Sequence, residues 1–160
     1  MNQTVPIKKL NDGISIPMIG YGTASIKGEA GANAITSAIE QGYRLIDTAY
    51  NYENEGAVGE AIKNSSVSRD ELVITSKLPG RYHLFDKAIP TIQESLYRAD
   101  LDYYDIYLIH WPNPKTNQYV EAWEALIEAK KGDMFERLVY VIFYQSISSD
   151  CKQRPGYCQV

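Results

Sequence analysis

Residues 43–63, YRLIDTAYNYENEGAVGEAIK, hold a whole strand–loop–helix unit in one short run. YRLIDTA is a compact strand candidate that ends in polar residues. Residues 55–63 follow with Val58, Ala61 and Ile62 at helical spacing, so one face is apolar. A strand that hands over to an amphipathic helix through a short polar loop is the building block of α/β folds.

The same unit recurs on both sides. Upstream, IGYGTA (19–24) is a short apolar run closed by glycines, and residues 29–41 place Ala30, Ala34, Ala38 and Ile39 at helical spacing. Gly42 is placed to end that helix. Downstream, S-R-D-E (68–71) resembles a capping box ahead of the strand candidate LVITSKL (72–78). Residues 86–99 carry Ala88, Ile92, Leu96 and Ala99 near one stripe. YYDIYLIHW (103–111) reads as a further strand, and residues 119–130 as an amphipathic helix with Trp123, Leu126 and Ile127. At the N-terminus, VPIKKL (5–10) and ISIPM (14–18) flank Asn11-Asp12-Gly13, a strong turn signal, which predicts a hairpin.

The order is therefore a hairpin, then strand and helix alternating four times. Alternation of this kind implies parallel strands joined by right-handed crossovers. A doubly wound open sheet and part of an eight-stranded barrel both satisfy it. IGYGTASIKG (19–28) matches neither the dinucleotide fingerprint nor the Walker loop, which tilts the choice away from a nucleotide-binding open sheet.

Composition sets the outer bounds. The chain has 160 residues, 44% hydrophobic and 22% charged, enough to bury a core. A net charge of −4 provides no basic field for nucleic acid or an acidic membrane, so neither is an expected partner. Cys151 and Cys158 fall in the last ten residues, and no Cys or His spacing resembles a zinc site; no metal is expected. MNQTVPIKKLNDGISIP lacks the apolar run of a secretion signal, and no stretch reaches membrane-spanning length. A cytoplasmic location is expected.

Polar residues collect where the strand candidates end. Asp47 follows YRLI, Lys77 follows LVITS and His110 follows DIYLI, while Tyr52 lies five residues after Asp47 in the same loop. Each has a plain structural reading when taken singly. Asp47 could cap a helix, Lys77 could be a solvated strand end, His110 could be a satisfied structural histidine, and Tyr52 is one of 13 tyrosines. Together they put an acid, a cation, a phenol and an imidazole on successive loops at the C-terminal ends of parallel strands. In an α/β barrel that is the face on which active sites are built.

LIDTAYNYENE (45–55), VITSKLP (73–79) and DIYLIHWP (105–112) resemble the motifs of the aldo-keto reductases, spaced as that family spaces them. The resemblance covers residues 5–131, and the shape of GYGTA and TAYNYENE is similar to the bacterial branch that includes diketogluconate reductases. It implies the N-terminal half of a (β/α)8 TIM barrel with an N-terminal β-hairpin, truncated after about four βα units. It also implies reversible NADPH-dependent reduction of an aldehyde or ketone to an alcohol, with a small-molecule carbonyl as substrate. Tyr52 takes the family's general-acid role. A free phenol titrates near pH ~10, so Lys77 would favour the phenolate, with Asp47 pairing Lys77. His110 would orient the substrate carbonyl and Trp111 would line its pocket. Gly22, Thr23 and Asp47 match positions where the family approaches the nicotinamide end of the cofactor. The family is usually monomeric, but half a barrel exposes strand edges, so self-association is expected. A non-catalytic cofactor-binding or regulatory subunit is the alternative role.

After Lys131 the resemblance stops. The family expects a glycine, an arginine and then a fifth strand there, whereas residues 132–160 read GDMFERLVYVIFYQSISSDCKQRPGYCQV and do not resemble it directly. New codons, built from the third base of one residue and the first two of the next, permit a run containing IGVCNF, which is similar to that fifth strand and its asparagine. The division expected is thus residues 1–131 as a partial aldo-keto reductase barrel and 132–160 as the product of a shifted reading frame. On this reading Cys151, Cys158 and Arg154 are accidents of frame, and the chain has low or no activity. By composition alone LVYVIFY (138–144) can still pair as a strand.

Overall fold

In the computed structural model, which describes residues 5–10, 13 and 15–138, the alternating apolar runs become neighbours in one parallel sheet. Its order is β3 (Gly20–Gly22), β4 (Leu45–Asp47), β5 (Val73–Leu78), β6 (Tyr104–Ile109) and β7 (Phe135–Leu138). All four pairings are parallel, and spatial order follows chain order without a reversal. A doubly wound sheet would reverse direction at a switch point. The sheet therefore fits one side of a barrel, not an open nucleotide-binding sheet.

The predicted hairpin forms separately, with β1 (Ile7–Lys9) antiparallel to β2 (Ser15–Pro17) and Ile7 opposite Pro17. Asn11 and Asp12 of its turn lie outside the described residues.

Four helices fill the crossovers: α1 (Gly28–Glu40), α2 (Glu55–Asn64), α3 (Phe85–Ala99) and α4 (Tyr119–Lys131). Successive helices pack side by side, and one core joins them to the sheet. Ile35 and Ile39 of α1, Val58 and Ile62 of α2, Ile92 of α3 and Leu126 of α4 meet Ile46, Ile74, Leu78 and Tyr107 of the strands there. The buried faces of α2 and α3 are those read from the sequence, apart from Leu96, which is only partly buried.

Three details differ from the sequence reading. In α1 the buried stripe is Ala32, Ile35, Ala38 and Ile39, whereas Ala30 and Ala34 are exposed. Alanines mark a helical face weakly, because each buries little area; the two isoleucines decide which side turns inward. In α4 Leu126 is buried, but Ile127 is 36% exposed. Ser68 makes no side-chain cap to the short 3₁₀ turn Arg69–Glu71. That turn is tied by Arg69 instead, which pairs with Asp105 at 2.8 Å and donates to the carbonyls of Leu72 and Tyr103. Beyond α4, the strand that pairs with β6 is Phe135–Leu138, N-terminal to most of LVYVIFY; residues 139–144 lie outside the described residues.

Gly42 ends α1 as the sequence predicts. Its φ of +105° is a conformation that side chains rarely adopt, and its N–H returns to the Ile39 carbonyl at 3.0 Å. Gly59 serves close approach: a Cβ there would run into the Ala99 carbonyl, so the end of α3 rests directly on α2. Gly59→Ala should destabilise the chain by about 1–3 kcal/mol, the range for overpacking a core contact. A lower urea midpoint with an unchanged slope is the outcome that checks it.

Candidate active site

Strand register brings the four sequence-chosen residues to one place. Gly22, Asp47 and Thr75 share a register row across β3, β4 and β5, at or near the strands' C-terminal ends. Side chains two apart on a strand share a face, so Lys77 lies one step beyond Thr75 on the same side. The N–H of His110 donates to the Leu78 carbonyl at 3.0 Å, which holds the residue just past the end of β6 against β5.

The ammonium of Lys77 lies 2.8 Å from both Asp47 carboxylate oxygens and donates to the Thr48 carbonyl at 2.8 Å. The Lys77 side chain is 13% exposed, while that of Asp47 is 38% exposed. A nearly buried ammonium is tolerable only with this kind of pairing. The three acceptors use its three donors, so its position is fixed.

Tyr52 comes from a 3₁₀ turn, Tyr50–Tyr52, directly after β4. Its N–H bonds to the Ala49 carbonyl at 2.9 Å, and Glu53 turns the chain at φ +55°. The turn places the Tyr52 ring with its centroid 5.0 Å from the Lys77 Nζ. His110 meets the same ring edge-on, at 5.8 Å between centroids and 84° between planes. Trp111 stacks on the other aromatic neighbour, His110, at 6.1 Å and 11°, and is 56% exposed. All four catalytic candidates therefore converge, with Trp111 on the rim.

Burial holds the His110 imidazole below its ordinary range, the Lys77 ammonium lowers it further, and Asp47 opposes both. Its Nδ1 is buried with no partner among the described residues. The ring is therefore neutral at pH 7, and a proton on Nε2 leaves Nδ1 bare.

Gly22 and Thr23 reach the site differently. Around Gly22 no heavy atom stands within 4 Å of where a Cβ would be, so the end of β3 is open beside Asp47. Thr23 is fully buried, and both its N–H and its hydroxyl donate to the Asp47 carbonyl, at 3.0 and 3.1 Å. Its side chain is thus committed to holding Asp47.

The sequence reading missed the residues that hold the Tyr52 loop. Asn54 donates to the carbonyls of Thr23 and Ile26, at 2.6 and 2.7 Å, and accepts from the Thr48 hydroxyl at 2.8 Å. Glu55 accepts from Ser76 at 2.8 Å. Polar residues at the start of a helix read as cap and dipole complement. Only their burial, 3% and 1% exposed, tells them apart from that reading. No group of three or more His, Cys, Asp or Glu side chains suited to a metal occurs among the described residues. No helix among them is long and apolar enough to cross a membrane.

The chain is similar to known proteins in sequence and in fold. Residues 18–134 match the model of the aldo/keto reductase family. The chain is 45% identical over 130 residues to 2,5-diketo-D-gluconic acid reductase B of a Corynebacterium species, spanning 81% of this chain and 47% of that protein. It is 44% identical, over 81% of its length and 46% of the relative, to methylglyoxal reductase DkgA of Escherichia coli. The chain thus spans about half the length of the curated relatives it matches. Among solved structures, an aldo/keto reductase from Brucella melitensis superposes with a TM-score of 0.86 at 35% identity, over 95% of this chain and 60% of that one. A Bombyx mori aldo-keto reductase in complex with NADP gives 0.74 at 36% identity, over 85% and 50%.

The electrostatics of His110 are open to direct measurement, because the chain has only two histidines to resolve by NMR. Its pKa should lie below the ordinary value of 6.5. Lys77→Met removes a repelling cation and leaves the Asp47 carboxylate, so the pKa should rise; Asp47→Asn should move it the other way. A titration of the His110 ring proton in the three proteins checks both signs.

Proposed function

Because the chain belongs to the aldo/keto reductase family, we propose that it carries the acid–base centre of a carbonyl reductase that uses NADPH to convert an aldehyde or ketone to an alcohol, reversibly. The observation that carries this reading is the cluster itself. An ammonium chelated by one carboxylate stands 5.0 Å from the centre of a phenol ring, and an imidazole meets the same ring edge-on at 5.8 Å.

Each side chain has a distinct task. The Tyr52 hydroxyl gives its proton to the substrate's carbonyl oxygen. Lys77, next to the ring, stabilises the negative charge left on the phenolic oxygen. Asp47 keeps Lys77 charged and in place. The N–H at Nε2 of His110 hydrogen-bonds the carbonyl oxygen and sets its angle, and Trp111 walls the pocket. Tyr52 with Lys77 could not do this alone, since reaction needs the carbonyl held at one orientation.

The residues present also fit the nicotinamide end of NADPH, which when bound supplies the hydride to the carbonyl carbon. The Asp47 carboxylate stays accessible to a ribose hydroxyl despite its ion pair, and Gly22 leaves open space beside it. A small carbonyl compound in a cytoplasmic setting, without nucleic acid or membrane, completes the reading. The part of a (β/α)8 barrel present here is its first strands and helices.

Residues 132–160 belong to the same proposal as the product of a shifted reading frame. The family match ends at residue 134, and the permitted alternative frame continues in family-like sequence. Turnover by this chain is accordingly low or absent. Sequencing the gene decides the point: a single shift near the codon for Gly132 should restore the family's fifth strand, and a gene in which no such shift does so would refute it.

For activity, the 160-residue chain should show little oxidation of NADPH with simple aldehydes. Turnover would overturn the low-activity reading, and NADPH binding by fluorescence without turnover would favour a non-catalytic cofactor-binding subunit. The frame-restored protein should reduce aldehydes, and its Tyr52→Phe variant should lose about 100- to 10,000-fold in kcat, the range for a general acid. Full rate in that variant would place the acid elsewhere.

A further inference from the structure

Outside the four catalytic candidates, the described residues hold a buried cluster of hydroxyls gathered on one carboxyl group that has no cationic partner. It lies on the helix side of the sheet. Glu55, the first residue of α2, is 1% exposed. Its Oε1 accepts from the Ser76 hydroxyl at 2.8 Å, from the Ser95 hydroxyl, and from the Tyr104 hydroxyl at 3.3 Å. The hydroxyl oxygens of Ser95 and Tyr104 stand 3.0 Å apart, so the Tyr104 proton is shared between Ser95 and Glu55. Ser76 and Ser95 are fully buried, as is Tyr104, so solvent does not supply these bonds.

The placement of these partners matters more than their number. Ser76 is the residue before Lys77 on β5, and it faces the helices while Lys77 faces the other way. Glu55 is three residues after Tyr52. The Glu55–Ser76 bond therefore joins the loop that carries the phenol to the strand that carries the ammonium, from behind the sheet. Ser95 and Tyr104 add anchors on α3 and β6, and His110 ends that same strand. On the other flank, Asn54 ties the loop to the carbonyls of Thr23 and Ile26 and to the Thr48 hydroxyl. Glu55 supplies the link toward β5 and β6 that Asn54 does not.

We propose that Glu55 is a positioning residue, which sets the Tyr52 ring against Lys77 and His110 through its bond to Ser76. The inference rests on the catalytic role proposed above for Tyr52. Glu55 acts as an acceptor through Oε1. No cation bonds to it, its Oε2 has no partner among the described residues, and burial pushes its carboxyl above the ordinary range. A group whose work is done by one carbonyl-type oxygen is replaceable by an amide.

This makes glutamine the discriminating substitution. The test needs no turnover, so its failure is separable from failure of the proposed activity. Only two histidines and two tryptophans are present, which leaves a sparse NMR spectrum for the full chain. His110 reports on Tyr52 because the ring edge 5.8 Å away shifts its signals. Trp123, on α4 against the core, reports on the fold. Glu55→Ala should move the His110 ring signals and leave the Trp123 indole in place. Glu55→Gln should leave both at their original positions. Ser76→Ala, a milder loss of the same bond, should move His110 in the same direction as Glu55→Ala. His110 unmoved in Ser76→Ala, His110 and Trp123 moving together, or Glu55→Gln behaving as Glu55→Ala would each overturn the proposal.

Discussion

The centre of this molecule is the ion pair between Lys77 and Asp47. An ammonium that is nearly buried carries a desolvation cost of several kcal/mol, which a single exposed acid does not offset. Here both carboxylate oxygens and the Thr48 carbonyl sit at 2.8 Å. That geometry requires β4 and β5 to be adjacent, parallel and in one register, since a one-residue slip would send Lys77 to the opposite face. The pair therefore demands the sheet as much as the sheet produces the pair. A positive charge held still beside the Tyr52 ring is the consequence.

The surrounding polar residues divide by function along the two faces of the sheet. Around the end of β4, Thr23, Thr48 and Asn54 form a connected set of bonds that holds the Asp47 carbonyl and the residue after it. On the helix face, Glu55, Ser76, Ser95 and Tyr104 form a second set that contains no formal counter-charge. Buried polar groups normally carry partners, and most of these do. The exceptions are Glu55 Oε2, the Tyr107 hydroxyl, both nitrogens of His83 and Nδ1 of His110. Of these, His110 alone stands in the catalytic cluster, where its bare Nδ1 goes with the tautomer that offers Nε2–H to a carbonyl.

Much of this was legible in the sequence, for identifiable reasons. Alternation of apolar runs with amphipathic stretches gave the order of strands and helices, because periodicity survives without tertiary context. The position of Asp47, Lys77 and His110 at strand ends was enough to place them on one face, since parallel strands share a direction. What stayed hidden depended on which side of a helix, or which polar residue, would be enclosed. Ala30 and Ala34 were indistinguishable from Ala38 until Ile35 was seen to lead the buried stripe of α1. Asn54 and Glu55 look like ordinary residues at a helix start, and nothing local marks Ser76 as their partner. Glu55 reaches Ser76, Ser95 and Tyr104 across 21, 40 and 49 positions, which no local pattern encodes.

The same geometry separates two requirements of carbonyl reduction. On the roles proposed above, the proton donor and its supports come from β4, β5, β6 and one loop, all within residues 18–134. Their mutual distances are fixed by register between adjacent strands and by the bonds through Asn54 and Glu55. On the same proposal, the hydride donor meets the open space at Gly22 and the accessible Asp47 carboxylate. On this proposal the two requirements meet at Asp47, which supports the proton donor and faces the hydride donor. Rate then depends on the second condition, since a well-placed proton does nothing for a carbonyl carbon that receives no hydride.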